Sequence, residues 1–141
     1  VPMGKADLRR RGRGIALLAF GAMVAPCARV AEALDATLVN MRFVKPLDQD
    51  LLLELSRSHA AFVTVEDNAI AGGAGSGVAE FFAAHGVTSP LLQLGLGDGF
   101  LDHGSREELL AQSGLDAPSI ERAIRTRFDA FMPVSSLRSV S

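Results

Sequence analysis

The stretch EDNAIAGGAGSG, residues 66–77, holds the residue types in this chain that are best suited to chemistry. Two adjacent carboxylates, Glu66 and Asp67, precede a loop in which four of six positions are glycine. The loop follows a strand-like run and precedes a helix-like run, which is the setting in which helix N–H groups bind phosphate. The stretch is therefore a candidate for a phosphate or dinucleotide site, or else for a purely structural turn. The four glycines are Gly72, Gly73, Gly75 and Gly77.

The spacing of these glycines matches neither of the familiar phosphate-binding loops. A dinucleotide fingerprint that starts at Gly73 needs glycine or alanine at position 78, where the chain has Val78. A Walker loop needs lysine and then serine or threonine after its last glycine, but Val78 and Ala79 follow Gly77. We therefore interpret the loop as a structural turn, in which glycine permits close backbone packing and positive φ angles.

Arg42 and Glu66 each end a strand-like run, at the edge of the sheet where α/β sites gather. Glu66 and Asp67 are adjacent on an extended chain and point to opposite faces, which argues against a catalytic pair. Arg42 is expected to hold an anion or to pair with an acid such as Glu66 or Asp48, and we favour the pair. We assign Arg42, Glu66 and the four glycines to a structural turn or a candidate interface. We name no catalytic, cofactor-binding or metal-binding residue.

Two other patterns resemble sites but are incomplete. The GDG at positions 97–99 begins the signature with which thiamine diphosphate enzymes hold magnesium. That signature ends on a later asparagine, and this chain has none after Asn68. His59, His85 and His103 are far apart in sequence and lack the spacing of metal ligands. We expect a turn at 97–99 and structural roles for the histidines near helix ends.

Length and charge limit the classes of function to consider. The 141 residues suit one domain that can bury a core, and 48% of them are hydrophobic. The formal net charge is −2, so electrostatics give no reason to expect nucleic acid as a partner. The one basic run, residues 9–13, we interpret as a solvated lead-in to the first buried strand.

Cys27 is the single cysteine of the chain. It shares an apolar helical face with Val30, Ala31 and Leu34, which predicts a buried structural thiol and not a nucleophile. A single cysteine excludes a disulfide framework within the chain, and we expect a reducing compartment, the cytoplasm. No apolar stretch reaches the length of a membrane span, so we expect no membrane partner.

Strand-like and helix-like runs alternate, which predicts right-handed parallel crossovers. The predicted fold class is α/β, a three-layer open sandwich with a mostly parallel sheet of about five strands and helices on both faces. We expect one domain over residues 1–132 and a flexible tail over 133–141. The predicted strands are 6–10 at an edge, 15–20, 37–43, 61–66 and 91–96. The predicted helices are 25–34, a helix capped by Asp48, a helix after the glycine loop, a helix from Ser105 to Gly114, and a helix from Asp116 or Ser119. The helix after the glycine loop has Val78, Phe81, Phe82 and His85 on one face.

Several segments also resemble a known family. GKADLRRRGRGIALLAFGAM, ATLVNMRFVKPLD, VTVEDNAIAGGAGSGV and a late GLD-x-x-x-I closely resemble the C-terminal domain of 1-deoxy-D-xylulose-5-phosphate synthases, within the transketolase C-terminal domain family. The resemblance runs from about Pro2 to Phe128. RFVKPLD followed by the VTVEDNA–GGAGSG segment is its most specific part. Transketolases and 2-oxo acid dehydrogenase beta subunits share only a looser version.

The resemblance implies a three-domain homodimer that uses thiamine diphosphate and Mg²⁺ to condense pyruvate with glyceraldehyde 3-phosphate. The products would be carbon dioxide and 1-deoxyxylulose 5-phosphate, a precursor of isoprenoids, thiamine and pyridoxal. In that family the cofactor, the metal and the catalytic residues belong to the two preceding domains, so this chain would hold no cofactor and would not be catalytic alone. Its partners would be the remaining domains and the second subunit. The chain departs from the family at 97–99, where a proline–Asp–aromatic turn is typical.

Two other hypotheses remain open from the sequence. The chain could be a regulatory module that binds a small ligand with the glycine loop and the edge formed by Arg42 and Glu66. It could also be a subunit of a 2-oxo acid dehydrogenase-like complex, assembling with separately encoded cofactor domains.

Overall fold

Strands and helices alternate along the part of the chain described by the computed structural model, residues 5–42, 47–69, 73–96 and 115–129. The strands are β1 Asp7–Arg10, β2 Gly14–Ala19, β3 Thr37–Asn40, β4 His59–Ala69 and β5 Leu91–Leu96. The helices are α1 Val24–Leu34, α2 Gln49–Ser56, α3 Ala74–Ala84 and α4 Ala117–Phe128, with a short 3₁₀ turn Gly21–Met23 before α1.

The five strands form one sheet in the order β1-β3-β2-β4-β5. β2 pairs in parallel with β3 and with β4, and β4 pairs in parallel with β5. β1 lies at the edge and runs antiparallel to β3. The predicted mostly parallel sheet and its edge strand near residues 6–10 are therefore confirmed.

Apolar residues cover both faces of the sheet. Along β2, Ile15 and Leu17 belong to the core under α1 and α4, whereas Ala16 and Leu18 belong to the core under α2 and α3. This alternation explains why the sequence of β2 is a continuous apolar run, since a strand buried on both faces has no solvated side. The prediction of helices on both faces is confirmed.

Two strands differ from the prediction by more than one residue at an end. β3 ends at Asn40, not at position 43, because Arg42 adopts a left-handed conformation with φ of 60° that cannot continue a strand. The side chain of Asn40 accepts the Arg42 N–H at 3.1 Å and stabilises this turn. β4 is longer than predicted at both ends and reaches from His59 to Ala69.

The helix predictions are confirmed for the most part. Asp48 caps α2 by accepting the Leu51 N–H at 3.2 Å, and Asp116 caps α4 through the Ser119 N–H at 3.2 Å, so Asp116 and not Ser119 begins that helix. His85 is the C-cap of α3 and its ring lies 4.2 Å from that of Phe81, so its predicted place near a helix end and on the face of Phe81 is confirmed, and its side chain is exposed there. The predicted helix at 105–114, the turn at 97–99 and the tail at 133–141 lie outside the described residues.

The basic run is tied to the rest of the fold more closely than predicted. Arg10 donates to the Asp35 carboxylate at 3.1 Å and to the Ala36 carbonyl at 3.0 Å, and Arg13 also pairs with Asp35. Gly12 lies directly against this turn, and its N–H donates to the Thr37 hydroxyl at 2.9 Å. The description as a solvated lead-in is therefore wrong for Arg10 and Gly12.

His59 is buried and links three segments of the fold. Its Nδ1 lies 3.1 Å from the Leu55 carbonyl oxygen, which can only accept, so Nδ1 carries the proton. Nε2 is then an acceptor, and the Thr37 hydroxyl donates a hydrogen bond to it across 2.7 Å. Thr37 in turn accepts from Gly12. The geometry thus assigns the neutral Nδ1–H tautomer to His59.

We expect the chain to lose stability in mildly acidic solution through His59. Burial lowers the pKa of His59, so the folded state takes up a proton less readily than the unfolded state. The contribution of neutral His59 to the free energy of unfolding is complete above its unfolded-state pKa of about 6.5. It declines as the pH falls from there towards the lower pKa of the folded state. Urea unfolding between pH 8 and pH 5 measures this decline. A His59→Gln variant with the same pH slope as the unmodified chain would contradict the assignment.

Candidate functional site

The glycine stretch lies at the carboxyl edge of the sheet, where β4 passes into α3. Glu66, on β4, is 1% exposed, and its carboxylate accepts the first N–H groups of α3: Ala74 at 2.5 Å and Gly75 at 3.3 Å. The N-cap residue of the helix, Gly73, has no side chain with which to do this. A carboxylate from the preceding strand therefore takes the place of the usual capping side chain.

This cap decides what the glycine loop can bind. The N-terminus of a helix attracts anions because its first N–H groups point outward and its dipole is positive there. In α3 the Glu66 carboxylate already occupies that position. A phosphate at the same place would lose the N–H donors and meet a buried negative charge, so the first turn of α3 does not have the geometry of a phosphate cradle.

The glycines of the loop serve packing, not unusual backbone angles. Gly73 has φ of −93°, and the positive φ angles among described glycines occur at other positions, so the prediction of positive φ was wrong for Gly73, Gly75 and Gly77. The prediction of close packing is correct for Gly75. A Cβ there would lie 2.8 Å from Thr64 Oγ1 and 2.9 Å from Gln93 Oε1. Gly72 lies outside the described residues.

Alanine substitutions at Gly75 and Gly77 are expected to have opposite effects on stability. Both positions lie in α3, so alanine gains helix propensity of up to about 1 kcal/mol at each. At Gly77 the nearest atom to a new Cβ is 4.0 Å away, so Gly77→Ala should stabilise the chain. At Gly75 the contacts with Thr64 and Gln93 should outweigh the gain and cost about 1–2 kcal/mol net. Thermal unfolding of the two variants measures the difference, and equal melting temperatures would contradict the close packing.

Arg42 has a different partner from the one predicted. Its guanidinium lies 3.5 Å from the Asp7 carboxylate on β1, and Arg9 with Arg42 lowers the pKa of Asp7. Asp48 accepts the backbone N–H groups of Ala6 at 2.9 Å and of Leu51. Arg42 therefore pairs with an acid, as expected, but that acid is Asp7 and not Glu66 or Asp48.

The remaining candidates show no reactive arrangement. Cys27 is buried, and burial raises the pKa of its thiol to about 12, so it is not a nucleophile at neutral pH. Within the described ranges no group of three or more His, Cys, Asp and Glu residues could hold a metal ion. His85 contacts the Phe81 carbonyl at 3.0 Å, and His103 lies outside the described residues. None of the helices described is long and apolar enough to cross a membrane.

Sequence reasoning missed the capping role of Glu66 and the close approach at Gly12. One signal for the first was available. The residue at the N-cap position is Gly73, which has no hydroxyl, carboxylate or amide side chain, so another acceptor had to satisfy the first N–H groups of α3. No local signal identified Gly12, because its neighbours in space come from the end of α1 and the start of β3.

Comparisons with known proteins agree with this architecture. The sequence profile described as "Transketolase, C-terminal domain" matches residues 4–120. The 1-deoxy-D-xylulose-5-phosphate synthase of Nitrosococcus oceani is 60% identical over the whole chain, and that of Thioalkalivibrio sulfidiphilus is 60% identical over 92% of it. The chain spans 22% and 20% of the lengths of these two relatives.

A solved structure is also similar. It is described as "Split gene transketolase, inactive beta4 tetramer", and it superposes with a TM-score of 0.82 at 30% sequence identity. The match covers 89% of this chain and 43% of the other. The profile match and the shared fold agree with the five-stranded, mostly parallel sheet. The chain therefore belongs to the transketolase C-terminal domain family.

Proposed function

We propose that this chain is the C-terminal assembly domain of a 1-deoxy-D-xylulose-5-phosphate synthase. That enzyme would condense pyruvate with glyceraldehyde 3-phosphate, releasing carbon dioxide and forming 1-deoxyxylulose 5-phosphate. The observation that carries the proposal is the 60% identity to the Nitrosococcus oceani synthase over the entire chain. Because the chain spans about a fifth of such a protein, most of the enzyme lies outside it.

The proposed enzyme would use thiamine diphosphate with Mg²⁺, and the described residues of this chain do not fit that cofactor. The glycine-rich turn is the feature most similar to a diphosphate site, but the buried Glu66 carboxylate takes the N–H groups of Ala74 and Gly75 there. A diphosphate would be repelled by this charge. We infer that the cofactor, the metal and the catalytic residues are supplied by the rest of the synthase, and that this chain alone is not catalytic.

The role we propose for the domain is to pack against the remaining domains and to contribute to a homodimer. Glu66 fixes the first turn of α3 at the carboxyl edge of the sheet, so the half-buried Gly73 at its start is held in place before any partner binds. Arg42 is held at the same edge by Asp7. We propose Arg42, Glu66, Gly72, Gly73, Gly75 and Gly77 as parts of a structural turn that shapes this interface.

The free and buried state of Cys27 suits a reducing compartment, and we place the protein in the cytoplasm.

The description of the similar solved structure supports assembly without catalysis, since that chain is reported as an inactive tetramer. The same description as a split-gene protein favours a second candidate, a subunit that assembles with separately encoded cofactor domains. The reading frame upstream of the codon for Val1 distinguishes the two candidates.

The proposal is tested by incubating the purified chain with thiamine diphosphate, Mg²⁺, pyruvate and glyceraldehyde 3-phosphate. We expect no release of carbon dioxide and no heat of cofactor binding in a calorimetric titration. Turnover by the chain alone would reject the assignment of catalysis to the other domains.

A further inference from the structure

Two side-chain oxygens beneath the first turn of α3 are buried and have no hydrogen-bond partner among the residues that the structure describes. They are Thr64 Oγ1 on β4 and Gln93 Oε1 on β5. Thr64 is 0% exposed, and Gln93 is partly buried with its amide oxygen shielded from solvent. Folded proteins almost always supply a partner to such an atom, because burial removes the hydrogen bonds that it makes in water.

The two residues lie directly opposite each other in the parallel pairing of β4 with β5. Gln93 is the single polar residue in the sequence of β5, LLQLGL, and Thr64 interrupts the apolar run AFVTV of β4. An apolar side chain at either position would pack without leaving an unpaired polar atom. Since the two side chains do not bond to each other either, a polar residue on both strands at one register position points to a shared third partner.

Both oxygens face the same point beside Gly75, in the first turn of α3. The position at which a side chain would begin on Gly75 lies 2.8 Å from Thr64 Oγ1 and 2.9 Å from Gln93 Oε1. Because both oxygens lie this close to one point, a single small molecule packed against Gly75 can reach both. The Glu66 carboxylate accepts the Gly75 N–H at 3.3 Å, so a negative charge lies beside this point and repels an anion. The partner must therefore be a small neutral molecule that donates hydrogen bonds.

We propose that this point is the binding site of one structural water molecule, held by Thr64 and Gln93 against Gly75. The water donates a hydrogen bond to Gln93 Oε1, which can only accept, and accepts one from the Thr64 hydroxyl. Buried waters of this kind bridge polar groups that lack a protein partner and are part of the fold. The water links β4 and β5 beneath the turn that Glu66 caps. The inference does not depend on the proposed function, because it uses only contacts within the fold.

A crystal structure of the chain at a resolution that shows ordered water tests the site directly. We expect one water at about 2.7–3.2 Å from both Thr64 Oγ1 and Gln93 Oε1. Gly75→Ala should lose this water, because its Cβ would meet both oxygens. Gly77→Ala is the matched control and should keep it, because the nearest atom to a Cβ there is 4.0 Å away. Electron density without a water at this point, or with another side chain bonded to the two oxygens, would overturn the proposal.

Thr64→Val gives a second readout, in solution, because valine has the shape of threonine without its hydroxyl. In a dry site the variant would remove a buried hydroxyl that has no partner, and the melting temperature would rise. With the water bound, the variant removes one of its hydrogen bonds and should lower the melting temperature by a few degrees. Thr37→Val is the reference and should also lower it, because the Thr37 hydroxyl bonds to Gly12 and His59. A Thr64→Val chain at least as stable as the unmodified chain would overturn the proposal.

Discussion

Gly12→Ala is expected to lower the free energy of unfolding by about 3 kcal/mol, at the upper end of the cost of overpacking. A Cβ at Gly12 would lie 2.4 Å from the Asp35 carbonyl oxygen and 2.4 Å from the Ala36 carbonyl carbon. These are backbone atoms, so no side-chain rotation relieves the conflict. The backbone around Gly12 must move instead. This movement strains the hydrogen bond from the Gly12 N–H to the Thr37 hydroxyl and, through Thr37, the hydrogen bond to His59.

Urea unfolding of the Gly12→Ala chain at neutral pH measures this loss. The matched control is Arg11→Ala, because Arg11 is exposed and its ion pair with Glu54 is long, at 3.9 Å. Such a surface change should alter the free energy of unfolding by less than about 0.5 kcal/mol. A Gly12→Ala chain as stable as the control would show that the turn at Asp35 is loosely packed, contrary to the structure.

Glu66→Ala is expected to cost about 2–3 kcal/mol, because two buried N–H groups of α3 lose their acceptor. In the part of the chain that the structure describes, the N–H groups of Ala74 and Gly75 have no other side-chain cap, since Gly73 offers no side chain. The amide hydrogens of Ala74 and Gly75 should also exchange faster with solvent, whereas those in the middle of β4 should not.

The control for Glu66→Ala is Glu80→Ala, which removes an exposed carboxylate from the same helix. We expect the Glu80 variant to differ from the unmodified chain by less than about 0.5 kcal/mol. Equal stability of the two variants, with unchanged exchange at Ala74, would contradict the capping role.

The elements with strong periodic patterns were predicted well from sequence. The apolar run of β2 is buried on both faces, and the helical face of Cys27, Val30, Ala31 and Leu34 packs on the sheet. Asp48 was identified, and Asp116 was one of the two candidates for the last helix, because an N-cap acts on its own helix, within a few residues. These predictions succeeded because each depends on neighbours in sequence, but the positive φ angles expected in the glycine loop, which are also a local feature, were wrong.

The misassigned contacts depend on which strands are neighbours. Arg42 pairs with Asp7 because the antiparallel register sets Asp7 opposite Asn40, and the alternation of strands and helices does not determine that pairing. Gly12 meets Ala36 for the same reason, across the turn between α1 and β3. The left-handed conformation of Arg42 also has no signature in its residue type, since few non-glycine residues adopt it.

The central claim is that this domain contributes assembly and not catalysis. The most direct measurement is the rate of 1-deoxyxylulose 5-phosphate formation by a synthase truncated before this domain, titrated with the separately purified chain. The account predicts an inactive truncated enzyme, an inactive chain, and saturable activity when the two are combined. Full activity of the truncated enzyme without the chain, or activity of the chain alone, would contradict it.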